Sequence, residues 1–141
     1  MCNSSKSEVY NHIEYLVAGN KHTEPEVLSQ LAESNCSRVR AQVAENPSTP
    51  LKTLSILLAD ESSEVRLALT YNHNLPSFFA EWLSRDESDD LRYGIAENPS
   101  AAHHILRMLA KDKNPYIAAR AERTLNWLAL KGRGINKVIA A

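Results

Sequence analysis

The residues of this chain that could do chemistry recur at fixed intervals and do not gather into one motif. The recurring sets are Asn20, Asn46, Asn72 and Asn98; Arg40, Arg66 and Arg92; and Asp60, Asp86 and Asp112. Guanidinium groups bind phosphates and carboxylates, so the arginines could form a basic stripe. We call the asparagine set and the arginine set ladders, and for both of them the structural interpretation is favoured. An asparagine at a tight turn satisfies backbone groups and tolerates left-handed geometry, and each arginine keeps an aspartate in reach.

The histidines do not predict a metal site or a catalytic centre. Five are present, and two of them, His103 and His104, are adjacent. Neighbouring helical residues diverge by about 100°, so these two cannot ligate one metal as an i, i+4 pair does. No Ser-His-Asp or Cys-His spacing indicates a nucleophile, and the four glycines form no phosphate-binding loop. We expect no enzymatic activity, no cofactor and no metal.

A 26-residue repeat positions these ladders. The segment beginning at Val39 has related copies beginning at Val65 and Leu91, and leucine also recurs at 31, 57, 83 and 109. Each unit has apolar residues at helical spacing, and no window shows the alternation of a strand. A single pair of such short helices is marginal in water, so copies must stack. The period predicts an all-α fold, an α-solenoid of about four and a half two-helix repeats.

Local signals predict where the helices begin and end. The first helix of one unit should cover roughly 37–45 and end at Asn46-Pro47, and the second should open at Ser48 or Thr49. Thr23 to Glu26 fits a capping box. We expect a single repeat domain over 1–141, with an N-terminal helix start at 1–12, repeats and a capping helix over 13–130, and a basic tail over 131–141. Lys131 to Gly134 should break the last helix at about Leu130.

The string Val-Arg-x-x-Val-Ala-Glu-Asn-Pro-Ser-Thr-Pro, at 39–50, followed by Leu54-x-x-Leu57-Leu58-Ala59-Asp60, resembles the leucine-rich repeat variant family of HEAT-like bacterial helical repeats. The resemblance covers about residues 13–123. It implies a right-handed superhelix in which an α-helix alternates with a shorter helix, and a binding scaffold without a shared enzymatic activity. Some members carry a cysteine-rich iron–sulfur segment before the repeats; only Cys2 precedes them here, so no cluster is expected.

Composition favours a cytoplasmic protein. Apolar runs are only a few residues long, and the polar N-terminus lacks the apolar stretch of a signal peptide. Two cysteines give no disulfide framework, so a reducing compartment is the default expectation. The net charge of −1 hides an asymmetry, since residues 1–104 carry 8 Lys/Arg against 15 Asp/Glu (−7) and residues 105–141 carry 8 against 2 (+6).

The copy in the middle of the chain departs most from its siblings and is our first candidate for partner binding. It replaces Ala-Glu-Asn-Pro-Ser by Thr-Tyr-Asn-His-Asn at 70–74, and its second helix carries two phenylalanines and Trp82. Exposed Tyr71, His73 and Trp82 would make central anchors for another protein. The alternative is that the aromatic residues fill packing space lost with the proline.

The basic C-terminal third is the second candidate. Its cations are Arg107, Lys111, Arg120, Arg123, Lys131 and Arg133. They would guide an acidic protein surface or, alternatively, bind nucleic acid. The acidic remainder and the lack of aromatic residues interleaved with basic ones count against nucleic acid. The sequence therefore predicts a non-enzymatic protein-binding scaffold, with a nucleic-acid-binding module as the alternative and no membrane partner; it does not indicate an oligomeric state.

Overall fold

A computed structural model describes the backbone of residues 5–140 and the side chains of residues 8–134. Over this part of the chain the protein is all-helical, with nine helices and no strand. The helices are α1 (Ser5–Gly19), α2 (Pro25–Leu31), α3 (Ser37–Glu45), α4 (Leu51–Leu57), α5 (Ser63–Leu69), α6 (Ser77–Leu83), α7 (Asp89–Glu97), α8 (His103–Leu109) and α9 (Pro115–Ala140).

The chain divides into two compact units, Met1–Leu83 and Ser84–Ala141. In the first unit α3 packs between α1 and α5, and in the second α7 and α8 both pack against α9. Among the apolar positions predicted at helical spacing, Val39, Val43, Leu54 and Leu57 are buried, whereas Leu51 is 54% exposed. Fully buried side chains include Leu28, Val39, Val43, Leu54, Leu57, Leu69 and Leu83 in the first unit, and Leu91, Ile95, Leu106, Leu109 and Ile117 in the second. The long first helix is confirmed, although Val9, Ile13 and Leu16 are more than half exposed.

The predicted limits of α3 are confirmed, whereas the predicted capping box at Thr23 is wrong. The N-cap of α2 is Glu24, without a side-chain cap hydrogen bond. The Thr23 hydroxyl instead donates to the carbonyl of Val17, six residues earlier, at 2.6 Å. Thr49 does the same to Val43, also at 2.6 Å. The threonine slot therefore serves the end of the preceding helix, where carbonyl groups lack intrahelical donors.

The asparagine slot joins successive repeats through its side-chain amide. Asn46 Nδ2 donates to the carbonyls of Ala18 and Asn20 at 2.7 and 2.9 Å, while its Oδ1 accepts from the Ser48 amide at 2.9 Å. Asn72 repeats this pattern on Ala44 and Asn46 at 2.8 and 2.9 Å. The structural interpretation of Asn46 and Asn72 is confirmed, but not through left-handed geometry, since Asn46 has φ −68° and no described residue other than glycine has a positive φ.

The arginine slot also satisfies internal groups. Arg40 binds Asp60, twenty residues ahead, through Nε at 2.7 Å and Nη2 at 3.0 Å. Its Nη1 donates to the carbonyl of Ser34 at 2.8 Å. Arg92 makes the equivalent pair with Asp112, with Nε at 2.8 Å from the carboxylate. Because Arg40 and Arg92 are buried and hydrogen-bonded, they do not form an exposed basic stripe.

Two expectations from the sequence are overturned. Helix α9 continues through 131–134 to Ala140, so Lys131 to Gly134 does not break it at Leu130 and 131–140 is not an irregular tail. A helical glycine costs only about 1 kcal/mol relative to alanine, and strong helix formers precede Gly132 and Gly134. Cys36 is in a disulfide, so the cysteines do not support a reducing compartment. Cys2 lies outside the described residues.

We predict that Asn46→Ala lowers the free energy of unfolding by about 2–3 kcal/mol, because the buried Ala18 carbonyl and the partly buried Asn20 carbonyl lose a donor and the Ser48 amide loses its acceptor. Urea denaturation measures this change. Asn20→Ala is the matched control, because Asn20 is exposed and its side chain only accepts from the His22 amide; an equal loss in both variants would contradict the interpretation.

Candidate functional site

An apolar groove lies between α4 and α6. Its volume is about 680 Å³, and the lining residues are Ser55, Leu58, Ala59, Phe78, Phe79 and Trp82. Phe78 and Phe79 meet edge to face with ring centroids 4.3 Å apart. The groove is open to solvent, so it can receive an apolar group.

The exposure of the aromatic rings distinguishes between the two interpretations of the middle copy. Trp82 is 71% exposed and Phe78 is 61% exposed. A side chain that fills core space is buried, so the packing alternative is wrong for these two rings. Phe79 is half-buried. Apolar rings left in water are the common mark of an interaction surface.

Tyr71 and His73 do not line this groove. Tyr71 is 43% exposed at the turn after α5, and His73 is exposed in the loop that leads to α6. The groove therefore contains one of the three predicted anchors and adds Phe78, Phe79 and Leu58, which the sequence analysis did not select. The sequence contains one signal that could have identified Phe78. The other copies carry Glu26, Lys52 and His104 at the equivalent position, so an apolar residue occupies a position expected to face solvent.

The predicted basic residues separate into groups. Arg107 is exposed on α8 and Lys111 is exposed in the turn that follows it. Along α9, Arg120 and Arg123 line a smaller hollow of about 250 Å³ together with Glu97, Pro99, Thr124 and Trp127. Lys131 lies over the Trp127 ring, with Nζ 4.9 Å from its centroid. Arg133, also on α9, is exposed but lies on a different side of the helix by the 100° rotation per residue.

The sequence expectation that aromatic and basic residues are not interleaved is wrong for α9. Tyr116, Arg120, Arg123, Trp127 and Lys131 follow one another at spacings of four, three, four and four residues. Because α9 is one continuous helix, this spacing places all five on one face, within about 80° of its circumference. The sequence analysis missed this arrangement because it listed only the Lys and Arg residues and left out the aromatic residues between them.

Charge at the start of α7 is neutralised internally. Burial raises the pKa of the Asp112 carboxyl, but the hydrogen bonds from Arg92 and from the Asn114 amide, with the charges of Arg92 and Lys113, outweigh it and lower that pKa below its ordinary value. The Asn114 side chain and Arg92 likewise lower the pKa of Asp89. These contacts stabilise the second unit, and the side chains of Arg92 and Asp112 are buried against each other.

A protein-family model matches part of the chain. Residues 38–62 match the family model described as "Leucine rich repeat variant". The match contains α3, α4 and the Arg40–Asp60 pair, and it confirms the family suggested by the Asn-Pro-x-Thr-Pro string. No curated protein and no solved structure matches the chain.

Another hollow lies against α1 and the start of α3. This hollow, of about 360 Å³, is lined by Glu8, Asn11, His12, Tyr15, Cys36 and Arg38. The disulfide removes Cys36 as a thiolate nucleophile. Among the residues that the structure describes, no group of three or more His, Cys, Asp or Glu side chains is placed to hold a metal ion. Within the same part of the chain, every helix is too short or too polar to cross a bilayer.

We predict that the Arg92–Asp112 pair makes the protein acid-sensitive. A carboxyl with a lowered folded-state pKa contributes stability above its unfolded pKa, near 4, and this contribution is lost as the pH falls through the folded-state value. Asp112→Asn should destabilise the protein by about 3–5 kcal/mol at neutral pH, because Arg92 stays buried without its partner. The variant should then lose less stability than the parent between about pH 6 and pH 3.

Urea titrations at both pH values measure this difference, with Glu122→Gln as an exposed control in the same unit. A pH dependence of Asp112→Asn as steep as that of the parent would contradict the assignment.

Proposed function

We propose that this protein is a non-enzymatic binding scaffold that holds another protein, with the aromatic groove between α4 and α6 as the principal contact. The observation that carries the proposal is the exposure of Phe78 and Trp82 beside a groove of about 680 Å³. The family match at 38–62 supports it, because helical repeats of this kind serve as interaction scaffolds. We further propose that the repeats form one right-handed α-solenoid of about four and a half units over 1–141, and that the protein acts in the cytoplasm.

The chemistry of the groove selects an apolar partner segment. Its walls are side chains of Leu, Ala and Phe with the indole of Trp82, and Ser55 is the only hydroxyl-bearing lining residue among those described. Each Å² of apolar area removed from water contributes about 25 cal/mol, from which the cost of association is subtracted. An exposed tryptophan at such a site typically contributes about 2–4 kcal/mol. Tyr71 and His73 extend the proposed contact beyond the groove.

Nucleic acid is the second candidate partner, because α9 interleaves aromatic and basic residues on one face. The contacts would come from Arg107, Lys111, Arg120, Arg123, Lys131 and Arg133. A gel shift with DNA and RNA at low ionic strength tests this candidate, and the absence of a shift would exclude it.

We predict that Phe78→Ala combined with Trp82→Ala abolishes partner capture while the melting temperature stays within about 3 °C of the parent, because both rings are mostly exposed. A photo-crosslinking residue at 78 first identifies the partner in the native host. Direct titration of the purified partner then measures the affinity, which should fall at least about 100-fold.

The matched control is Tyr10→Ala combined with Ile13→Ala, which removes exposed apolar side chains from α1 in the same unit. Equal binding by the Phe78 and Trp82 variant, or equal loss in the control, would contradict the proposal.

A further inference from the structure

The face of α9 that carries Tyr116, Arg120, Arg123, Trp127 and Lys131 has the features of a second binding surface, named here the α9 stripe. Tyr116 is 78% exposed and Trp127 is 50% exposed, although both are aromatic. Arg123 and Lys131 are also exposed. From Tyr116 to Lys131 the stripe runs about 22 Å along the helix, at 1.5 Å per residue. The stripe contains three cations and no carboxylate.

Arg120 supplies the feature that points to a ligand. Its Nε is buried and donates no hydrogen bond. The nearest acidic oxygen, Oε2 of Glu97, lies 3.9 Å away, which is within ion-pair range but too far for a hydrogen bond. A buried donor without an acceptor costs about 1–3 kcal/mol. Arg120 lines a hollow together with Arg123 and Trp127, so an oxyanion that enters this hollow would lie beside a guanidinium group whose hydrogen bonds are incomplete.

We propose that the α9 stripe binds an acidic peptide segment of a partner protein. A carboxylate or phosphoserine oxygen enters the hollow and accepts from Arg120 and Arg123, and an apolar side chain of the same segment packs against Trp127. The hollow, at about 250 Å³, is the size of one or two side chains and smaller than most small-molecule sites. Charge-assisted hydrogen bonds to arginine favour this geometry.

The surroundings favour a peptide over nucleic acid. The Lys131 ammonium lies over one face of the Trp127 ring, so a base cannot stack on that face without displacing it. Glu97 lines the hollow and Glu122 is exposed on α9, and these carboxylates repel a continuous phosphate chain. A peptide that alternates acidic and apolar residues avoids both obstacles.

The α9 stripe shares no residue with the groove between α4 and α6, and the two tryptophans distinguish binding at one surface from binding at the other. The chain contains two tryptophans, Trp82 in the groove and Trp127 in the stripe. In the full chain carrying Trp82→Phe, tryptophan emission therefore reports on the stripe alone. Loss of binding at the groove leaves that signal unchanged, so failure of one proposal does not imply failure of the other.

The experiment titrates Trp82→Phe with labelled peptides that alternate glutamate and leucine, with the phosphoserine version, and with a matched glutamine version. We expect both acidic peptides to shift Trp127 emission and to bind at least about tenfold more tightly than the glutamine peptide, with affinity falling as salt rises. Arg120→Gln combined with Arg123→Gln should weaken binding at least about tenfold.

Arg107→Gln combined with Lys111→Gln makes the same change in net charge within the same unit and should change affinity by less than about threefold. Circular dichroism confirms that both double variants remain folded. Equal weakening by the two pairs would overturn the proposal, because the attraction would then be unspecific. Tighter binding of a twelve-nucleotide oligothymidylate than of the acidic peptides would overturn it in favour of nucleic acid.

Discussion

The hydrogen bonds of the asparagine side chains are the interaction on which the repeat depends. Asn46 and Asn72 each donate two hydrogen bonds to carbonyls 26 and 28 residues earlier, and each accepts one from an amide two residues later. One amide group thereby ties the end of a helix to the end of the equivalent helix before it. An inserted residue would displace this group from its partners, which explains why the period of 26 has no insertions.

The same contact persists where the asparagine is absent. Thr124 occupies the next slot, and its hydroxyl donates to the carbonyl of Ala96, 28 residues earlier, at 2.7 Å. A hydroxyl has one hydrogen and an amide has two, so threonine keeps one of the two bonds. Because α9 continues as a helix through this position, the Asn-Pro turn is not needed.

The side chains of the asparagine and arginine ladders form hydrogen bonds inside the protein, so binding surfaces must lie elsewhere. The amides of Asn46 and Asn72 and the guanidinium groups of Arg40 and Arg92 are buried and bonded, so they offer nothing to a partner. The exposed features are those that depart from the repeat: the rings of α6 and the aromatic and basic face of α9. Both surfaces present exposed aromatic rings on a helix, and such rings lose little conformational entropy when a partner covers them.

Much of the fold follows from sequence pattern because the deciding interactions are periodic. The limits of α3 and the pairing of Arg40 with Asp60 could be inferred by aligning copies. The candidate site was less accessible. One wall of the groove comes from α4 and the other from α6, some twenty residues apart, and only packing brings Leu58 to Phe78 and Trp82. The hydroxyl of Thr23 could cap the start of α2 or the end of α1, and the sequence does not distinguish between these two possibilities.

The most direct test of this account is native-state hydrogen–deuterium exchange on Asn72→Ala, with His73→Ala as the adjacent exposed control. Removal of the Asn72 amide should speed exchange in the last turn of α3 and throughout α5 by about tenfold or more, since about 1.4 kcal/mol corresponds to a factor of ten. The control should match the parent protein. Parent-like protection of α3 and α5 in Asn72→Ala would contradict the claim that this side chain holds successive repeats together.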